Sequence, residues 1–126
     1  MAGGRASRKC CKGQGLAPRL TSGIWVAAYL ARLRLAVIPA YVTARGDDTA
    51  GAVIVKLATL DGQARAYQRI TDPGTGGRSW DVLADGDEPT VDAVIARARG
   101  RDRDLWVIEV EDRQGRTLLE EAGLSD

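Results

Sequence analysis

The stretch that decides the fold is Gly51-Ala52-Val53-Ile54-Val55-Lys56-Leu57-Ala58-Thr59-Leu60-Asp61-Gly62-Gln63-Ala64-Arg65-Ala66-Tyr67-Gln68-Arg69-Ile70. Its first half, Ala52 to Leu57, is β-branched and apolar on both faces over most of its length, which is the strongest strand signal in the chain. Asp61-Gly62 is the favoured two-residue hairpin turn, because both central residues of that turn need a positive φ. A turn there pairs Leu57 with Ala66, Lys56 with Tyr67, Val55 with Gln68 and Ile54 with Arg69. One face then collects Val53, Val55, Leu57, Ala66 and Ile70, and the other Ile54, Lys56, Arg65, Tyr67 and Arg69. Antiparallel sheets commonly bury one face and wet the other. The first set is therefore expected beneath a helix and the second in water.

Working outward, Ala40 to Ala44 reads as an earlier strand, followed by a turn at Gly46-Asp47-Asp48. Before it, Thr21 and Ser22 are capping residues at the head of an apolar segment from Gly23 to Leu35. Only Tyr29, Arg32 and Arg34 interrupt that segment, a pattern that predicts a helix packed on more than one side. Pro39 forbids its continuation and biases Ile38 towards an extended conformation. On the other side of the hairpin, Thr71 to Gly77 is dense in turn residues. Arg78 to Ala84 predicts another strand, with Trp80 and Val82. Asp85 to Pro89 opens a helix with an apolar stripe of Val91, Val94, Ile95 and Ala98, ended by Gly100. Leu105 to Val110 is a strand with Trp106, Ile108 and Val110 on one face and Glu109 and Glu111 on the other. Arg116 to Glu120 reads as a further strand or a short helix, with strand the preferred reading.

The fold class is thus α+β: one small domain with a mainly antiparallel sheet of five or six strands and two helices, in the order α-β-β-β-β-α-β(-β). Both helices are expected on one sheet face. The length of 126 residues suits one domain. With 44% hydrophobic and 28% charged residues the chain is neither of disordered nor of membrane composition. Its longest nearly uncharged apolar run, Gly23 to Ala31, is less than half the roughly 20 residues of a membrane span.

Charge is uneven. Residues 1–20 carry five bases and no acid; of the 18 basic residues this leaves 13 against 17 acids in 21–126, a body of net −4. Residues 1–18 are read as a disordered basic leader and 19–126 as the domain. The leader lacks the apolar segment of a secretion signal, and the two cysteines, Cys10 and Cys11, are adjacent within it, which together give a cytoplasmic expectation. The absence of histidine excludes a Ser-His-Asp triad, a Cys-His dyad and any imidazole zinc site built from this chain alone. No cofactor motif and no metal site is read from the sequence. Trp25, Trp80 and Trp106 each lie in an apolar periodic element and are expected as core anchors.

Several segments together carry a family resemblance. They are Arg19-Leu20-Thr21-Ser22-Gly23-Ile24-Trp25-Val26, Ile38-Pro39-Ala40-Tyr41-Val42, Arg45 to Val53, Thr71-Asp72-Pro73 and Asp104 to Asp112. In order and without large gaps over about residues 19–121, the chain resembles the bacterial family catalogued as domain of unknown function 1491. The resemblance implies a bacterial, cytoplasmic setting; the family has no established activity, so it transfers no site.

Two functional readings follow from the residues. The first is a non-enzymatic interaction module that binds a protein or a nucleic acid, and no membrane, through a basic-aromatic sheet face of Lys56, Arg65, Tyr67 and Arg69, joined by Arg78 and Trp80. Sheet faces bearing aromatics and cations stack bases and track a phosphate backbone. A solvated face explains the same residues without a ligand. The second is a metal-assisted enzyme on phosphate esters using Asp47 and Asp48 with Glu109 or Glu111, since clustered carboxylates hold hard cations. Against it, the strand-borne acid-x-Lys signature of nuclease-like cores has Ile54 where the acid belongs, and a solvated turn accounts for Asp47 and Asp48. The two readings separate on whether those carboxylates converge.

Overall fold

The computed structural model describes residues 21–71, 74 and 78–120. The leader, both cysteines and most of the expected 71–77 loop lie outside the described residues. Seven elements follow one another: α1 (Ser22–Leu35), β1 (Ala40–Ala44), β2 (Val53–Ala58), β3 (Gln63–Thr71), β4 (Arg78–Asp87), α2 (Glu88–Arg101) and β5 (Trp106–Glu111). The α+β class and the element order are those read from the sequence. The optional sixth strand does not form: the Asp112 carboxylate accepts from the Arg116 backbone N–H at 2.7 Å and from its guanidinium, which turns the chain off the sheet. This contact with Arg116 outweighs partial burial and holds the Asp112 carboxyl below the usual carboxylate range. The segment beyond it still joins the core, with Leu119 buried and the Thr117 carbonyl accepting from the buried Tyr29 hydroxyl at 2.7 Å.

The sheet order is β1-β5-β2-β3-β4, antiparallel except for the parallel pair β2–β5. All six residues of β2 are buried. A strand buried on both faces needs cover on both, and it has it: α1 packs over Val53, Val55, Leu57, Trp106, Ile108 and Val110, while α2 packs over Ile54, Ala64, Ala66 and Val107. The expectation of both helices on one face is therefore corrected. A strand buried on both faces reads as a near-continuous apolar run rather than an alternating one, and the two-faced apolarity of Val53 to Leu57 is the sequence signal for it.

The hairpin register is also corrected, by one residue. Val55 pairs with Tyr67, Lys56 with Ala66 and Leu57 with Arg65. The chain turns through the three residues Leu60, Asp61 and Gly62, not through Asp61-Gly62 alone. Asp61 Oδ1 accepts from the Thr59 hydroxyl at 2.6 Å and from the Gln63 N–H at 3.1 Å, and Leu60 and Gly62 both adopt positive φ. Because side chains alternate with period 2, a one-residue slip moves every β3 side chain to the opposite face.

Helix α1 is fixed at both ends by main chain. No side chain caps its N-terminus, although Thr21 occupies the cap position. Instead the Gly23 N–H donates to the Asp48 carbonyl at 2.8 Å, the Ser22 N–H to the Thr49 carbonyl at 3.3 Å, and the Ser22 hydroxyl to the Gly51 carbonyl at 2.6 Å. At the C-terminus Ile38 N–H donates to the Leu33 carbonyl at 2.9 Å and Val37 N–H to the Arg34 carbonyl at 3.0 Å. This is the Schellman pattern, with its accompanying Ile38–Leu33 core contact. The residue that must be left-handed there is Val37, at φ 59°, a conformation that a β-branched side chain resists. The Val37 side chain is 85% exposed, so it recovers little by packing. Replacing it, Val37→Gly, removes the steric cost of about 1–2 kcal/mol at the price of added backbone entropy. Urea unfolding should show a net gain of about 0.5–1 kcal/mol.

Candidate functional site

The six residues of the expected basic-aromatic face do not share one face. Lys56 points to the α2 side, where its side chain is 6% exposed. Its ammonium lies 2.7 Å from Glu88 Oε2, 2.7 Å from Asp92 Oδ1 and 3.6 Å from Glu109 Oε1. Glu88 and Asp92 stand one turn apart at the start of α2, and Glu109 is the β5 residue beside Lys56 in the parallel ladder. Burial alone lowers the ammonium pKa; the hydrogen bonds to Asp92 and Glu88, with the charge of Glu109, outweigh it and the net shift is upward. Lys56 is a strut between sheet and helix, with its charge consumed internally.

Arg65, Tyr67, Arg69 and Trp80 lie on the α1 side, the face expected to be buried rather than wet. The β3–β4 register assigns position 78 to that side as well. Arg65 is ion-paired to Asp85 at 2.9 Å. The Arg69 guanidinium sits 5.3 Å from the Trp25 ring centroid, and Trp25 in turn contacts Tyr29 at 4.9 Å and Trp80 at 5.3 Å. Tyr67 and Trp80 pack against the core as half-buried side chains. The one-residue register change is the physical reason: it turns Tyr67 and Arg69 inward to the flank of α1. Trp25 and Trp106 are the core anchors expected of them, and Trp80 is a partial one. The Trp106 indole N–H donates to the Asp47 carbonyl at 2.7 Å.

The carboxylates of the phosphoesterase reading do not converge. Glu109 and Glu111 face the α2 side, Glu109 against Lys56 and Glu111 accepting from the Tyr41 hydroxyl at 3.5 Å. Asp47 and Asp48 stand at the N-terminus of α1, on the opposite side of the sheet. Asp47 Oδ2 accepts from the backbone N–H groups of Thr49 at 3.1 Å and Ala50 at 2.8 Å, and Asp48 pairs with Arg45 at 3.0 Å. Among the described residues no group of three or more His, Cys, Asp or Glu side chains is placed to hold a metal ion.

The Arg45 to Gly51 segment, which carries the Asp47 and Asp48 of the phosphoesterase reading, is a helix cap. Its carbonyls receive the first N–H groups of α1, its Asp47 N–H donates to the Asp104 carbonyl at 3.0 Å, and the Arg45 guanidinium lies 5.1 Å from the Trp106 ring centroid. Two glycines permit this close approach. A Cβ on Gly46 would stand 2.2 Å from the Asp104 carbonyl oxygen, and one on Gly51 2.3 Å from the same atom.

The residue pattern alone does not single out a further surface, on α1. The outward side of α1 presents Ile24 (57% exposed), Ala27, Ala31 and Leu35 (84%), and it runs on to Val37. Beside it, a cavity of about 420 Å³ opens between α1 and Val42 of β1, with Trp106 at its base and Arg45 and Asp48 at its rim. The signal was present in the sequence, because a helix apolar all round buries only one side against a single sheet.

Three substitutions check these assignments. Gly51→Ala forces backbone against backbone and should cost about 3 kcal/mol or more, read as a lowered thermal midpoint, whereas Asp48→Asn should stay within about 0.5 kcal/mol of wild type. Lys56→Met strands three carboxylates and should cost about 2 kcal/mol at neutral pH, below the 3–5 kcal/mol of a fully buried pair because the acids are partly wetted. The Lys56 pKa is raised in the folded state, so its contribution is complete below the ordinary lysine range and is lost as pH climbs through the folded value. The stability gap between wild type and Lys56→Met should therefore narrow only in strongly alkaline buffer.

Comparison with known proteins is consistent with this architecture. A family model described as protein of unknown function (DUF1491) matches residues 20–120. A crystal structure of a DUF1491 family protein from Caulobacter crescentus CB15 is similar at 41% identity, covering 81% of this chain and 96% of that one, with a TM-score of 0.74. An NMR structure of a DUF1491 family protein from the same organism gives 40% identity, 83% and 96% coverage and a TM-score of 0.74. Protein Atu0922 from A. tumefaciens, solved in solution, gives 28% identity, 75% and 86% coverage and a TM-score of 0.65. No curated protein matches the chain, and none of the described helices is long and apolar enough to cross a membrane. With the family model spanning α1 to the segment after β5, and these structures sharing the fold, the chain belongs to the DUF1491 family.

Proposed function

We propose that this protein is a non-enzymatic interaction module that binds a protein through the outward face of α1. The observation that carries the reading is the apolar stripe of Ile24, Ala27, Ala31 and Leu35, exposed on a helix whose opposite side is fully engaged in the core. Contiguous exposed apolar surface on a small domain marks an interaction site more often than isolated apolar residues do. Protein is favoured over nucleic acid as the partner because the cations near the sheet are engaged internally: Lys56 with three acids, Arg65 with Asp85, Arg69 over Trp25. A cytoplasmic setting belongs to the same reading and is supported by cysteine usage confined to the adjacent pair at 10 and 11.

The test is affinity purification from the source bacterium with the tagged full chain, with and without nuclease and a chelator. The expected result is a partner that survives both treatments and is reduced about tenfold or more by Ile24→Glu with Leu35→Glu. Both positions are exposed, so the double variant keeps the fold. A partner lost on nuclease treatment and indifferent to that variant overturns the reading and returns the contact to Arg65, Arg69 and Trp80.

A further inference from the structure

We infer that the occupant of the α1 face is a second copy of this chain, in a two-fold dimer with the two α1 helices antiparallel; the inference rests on the interaction reading above. In an isologous interface one patch meets itself, so residue i touches j while j touches i. The α1 stripe has that property. Reversed about position 29, Ala27 comes opposite Ala31, while Ile24 and Leu35 come to the same two ends, each one residue from direct opposition. Bulky side chains then meet at the two ends and alanines in the middle, which lets the helix axes approach to the roughly 8 Å of close helix packing. A partner of different sequence would require no such near-symmetry.

Charge follows the same reversal. Arg34 is exposed near the C-terminal end of α1 and, among the described residues, unpaired. Asp48 stands at the N-terminal end, with Oδ1 3.0 Å from the place a Cβ of Gly23 would take. The same reversal brings position 23 of one copy opposite position 35 of the other, and so carries Arg34, one residue away, to the Asp48 end twice by symmetry. Asp48 Oδ1 already accepts from Arg45, and its Oδ2 holds no partner among the described residues. The helix dipoles oppose one another in the same arrangement.

A third observation is independent of both. Val37 keeps a left-handed backbone at φ 59° with its side chain 85% exposed, where glycine serves the helix end better. Strain retained at an exposed position points to a use for the side chain, and Val37 extends the apolar stripe just past Leu35, into the area the second copy would cover.

The experiment is sedimentation equilibrium of the full chain over about 10–500 µM, the range in which a modest interface is populated. Wild type should approach twice the chain mass of 13.5 kDa. Ala31→Glu should weaken association at least about tenfold, with near-ultraviolet circular dichroism from Trp25 and Trp106 unchanged. Arg34→Glu and Asp48→Arg should each weaken it several-fold, and the two together should restore it. Because residues 34 and 48 lie at opposite ends of a 14-residue helix, restoration reports contact between chains. A monomeric mass throughout overturns the dimer, as does an association insensitive to Ala31→Glu. If the chain is monomeric but Ile24→Glu with Leu35→Glu still abolishes capture of a different protein, the dimer fails and the interaction reading stands; if capture is also unaffected, both fail.

Discussion

The structure depends on a strand that is dry on both sides. Val53, Val55 and Leu57 face one helix and Ile54, Lys56 and Ala58 face the other direction, all six with little solvent contact. Everything placed around β2 follows from that constraint. It needs neighbours on both edges, supplied by β3 and β5, and a layer above and below, supplied by α1 and α2. The one charge within it then fixes where α2 begins. A buried ammonium is costly unless paired and hydrogen-bonded, and the acids that meet Lys56 are Glu88 and Asp92, in the opening turns of α2. Asp87 caps that helix by accepting from the Thr90 N–H. The local signal for starting the helix and the long-range demand for anions therefore fall on the same few residues.

How far the sequence discloses this depends on the kind of information each residue carries. Element order was legible because the punctuation is local: Pro39 ends α1, Asp87 with Pro89 opens α2, and Gly115 follows the last strand. Register was not, because it turns on whether Leu60 belongs to the strand or to the turn. The Asp61-Gly62 pair invites a two-residue loop, yet the Asp61 carboxylate bridges Thr59 and Gln63 and stabilises a three-residue one, with a leucine in the left-handed region. One residue of loop length decides whether Tyr67 faces water or tryptophan. The placement of the helices on both faces was legible in Val53 to Leu57 itself, and a rule suited to half-wet antiparallel sheets concealed it.

The Arg45 to Gly51 segment shows how architecture imitates chemistry in a sequence. Glycines beside paired aspartates read as a cation loop, but the requirement met here is close approach. Gly46 and Gly51 let the backbone reach the Asp104 carbonyl, Asp47 folds the turn by accepting from two N–H groups, and the freed carbonyls cap α1. Nothing in residue type alone separates the two uses; the distance to Asp104, 56 positions beyond Asp48 in the chain, does.

These same contacts bear on recognition. The cost of association includes ordering whatever is mobile at the interface, so a surface held in advance binds with less loss. Helix α1 is held at its N-terminus by carbonyls of a loop pinned through Gly46 and Gly51, at its C-terminus by the paired bonds to Leu33 and Arg34, and along its inner side by Trp25, Tyr29 and Leu33. Its outward residues are short or stiff: two alanines, an isoleucine, a leucine and a valine, with few rotamers to lose. A long flexible side chain at those positions would be the cheaper choice for solubility, and the helix has its arginines at 32 and 34 instead, clear of the stripe's centre at Ala27 and Ala31. The contact surface proposed for α1 is therefore one that its end contacts and core packing already hold in place before any partner arrives.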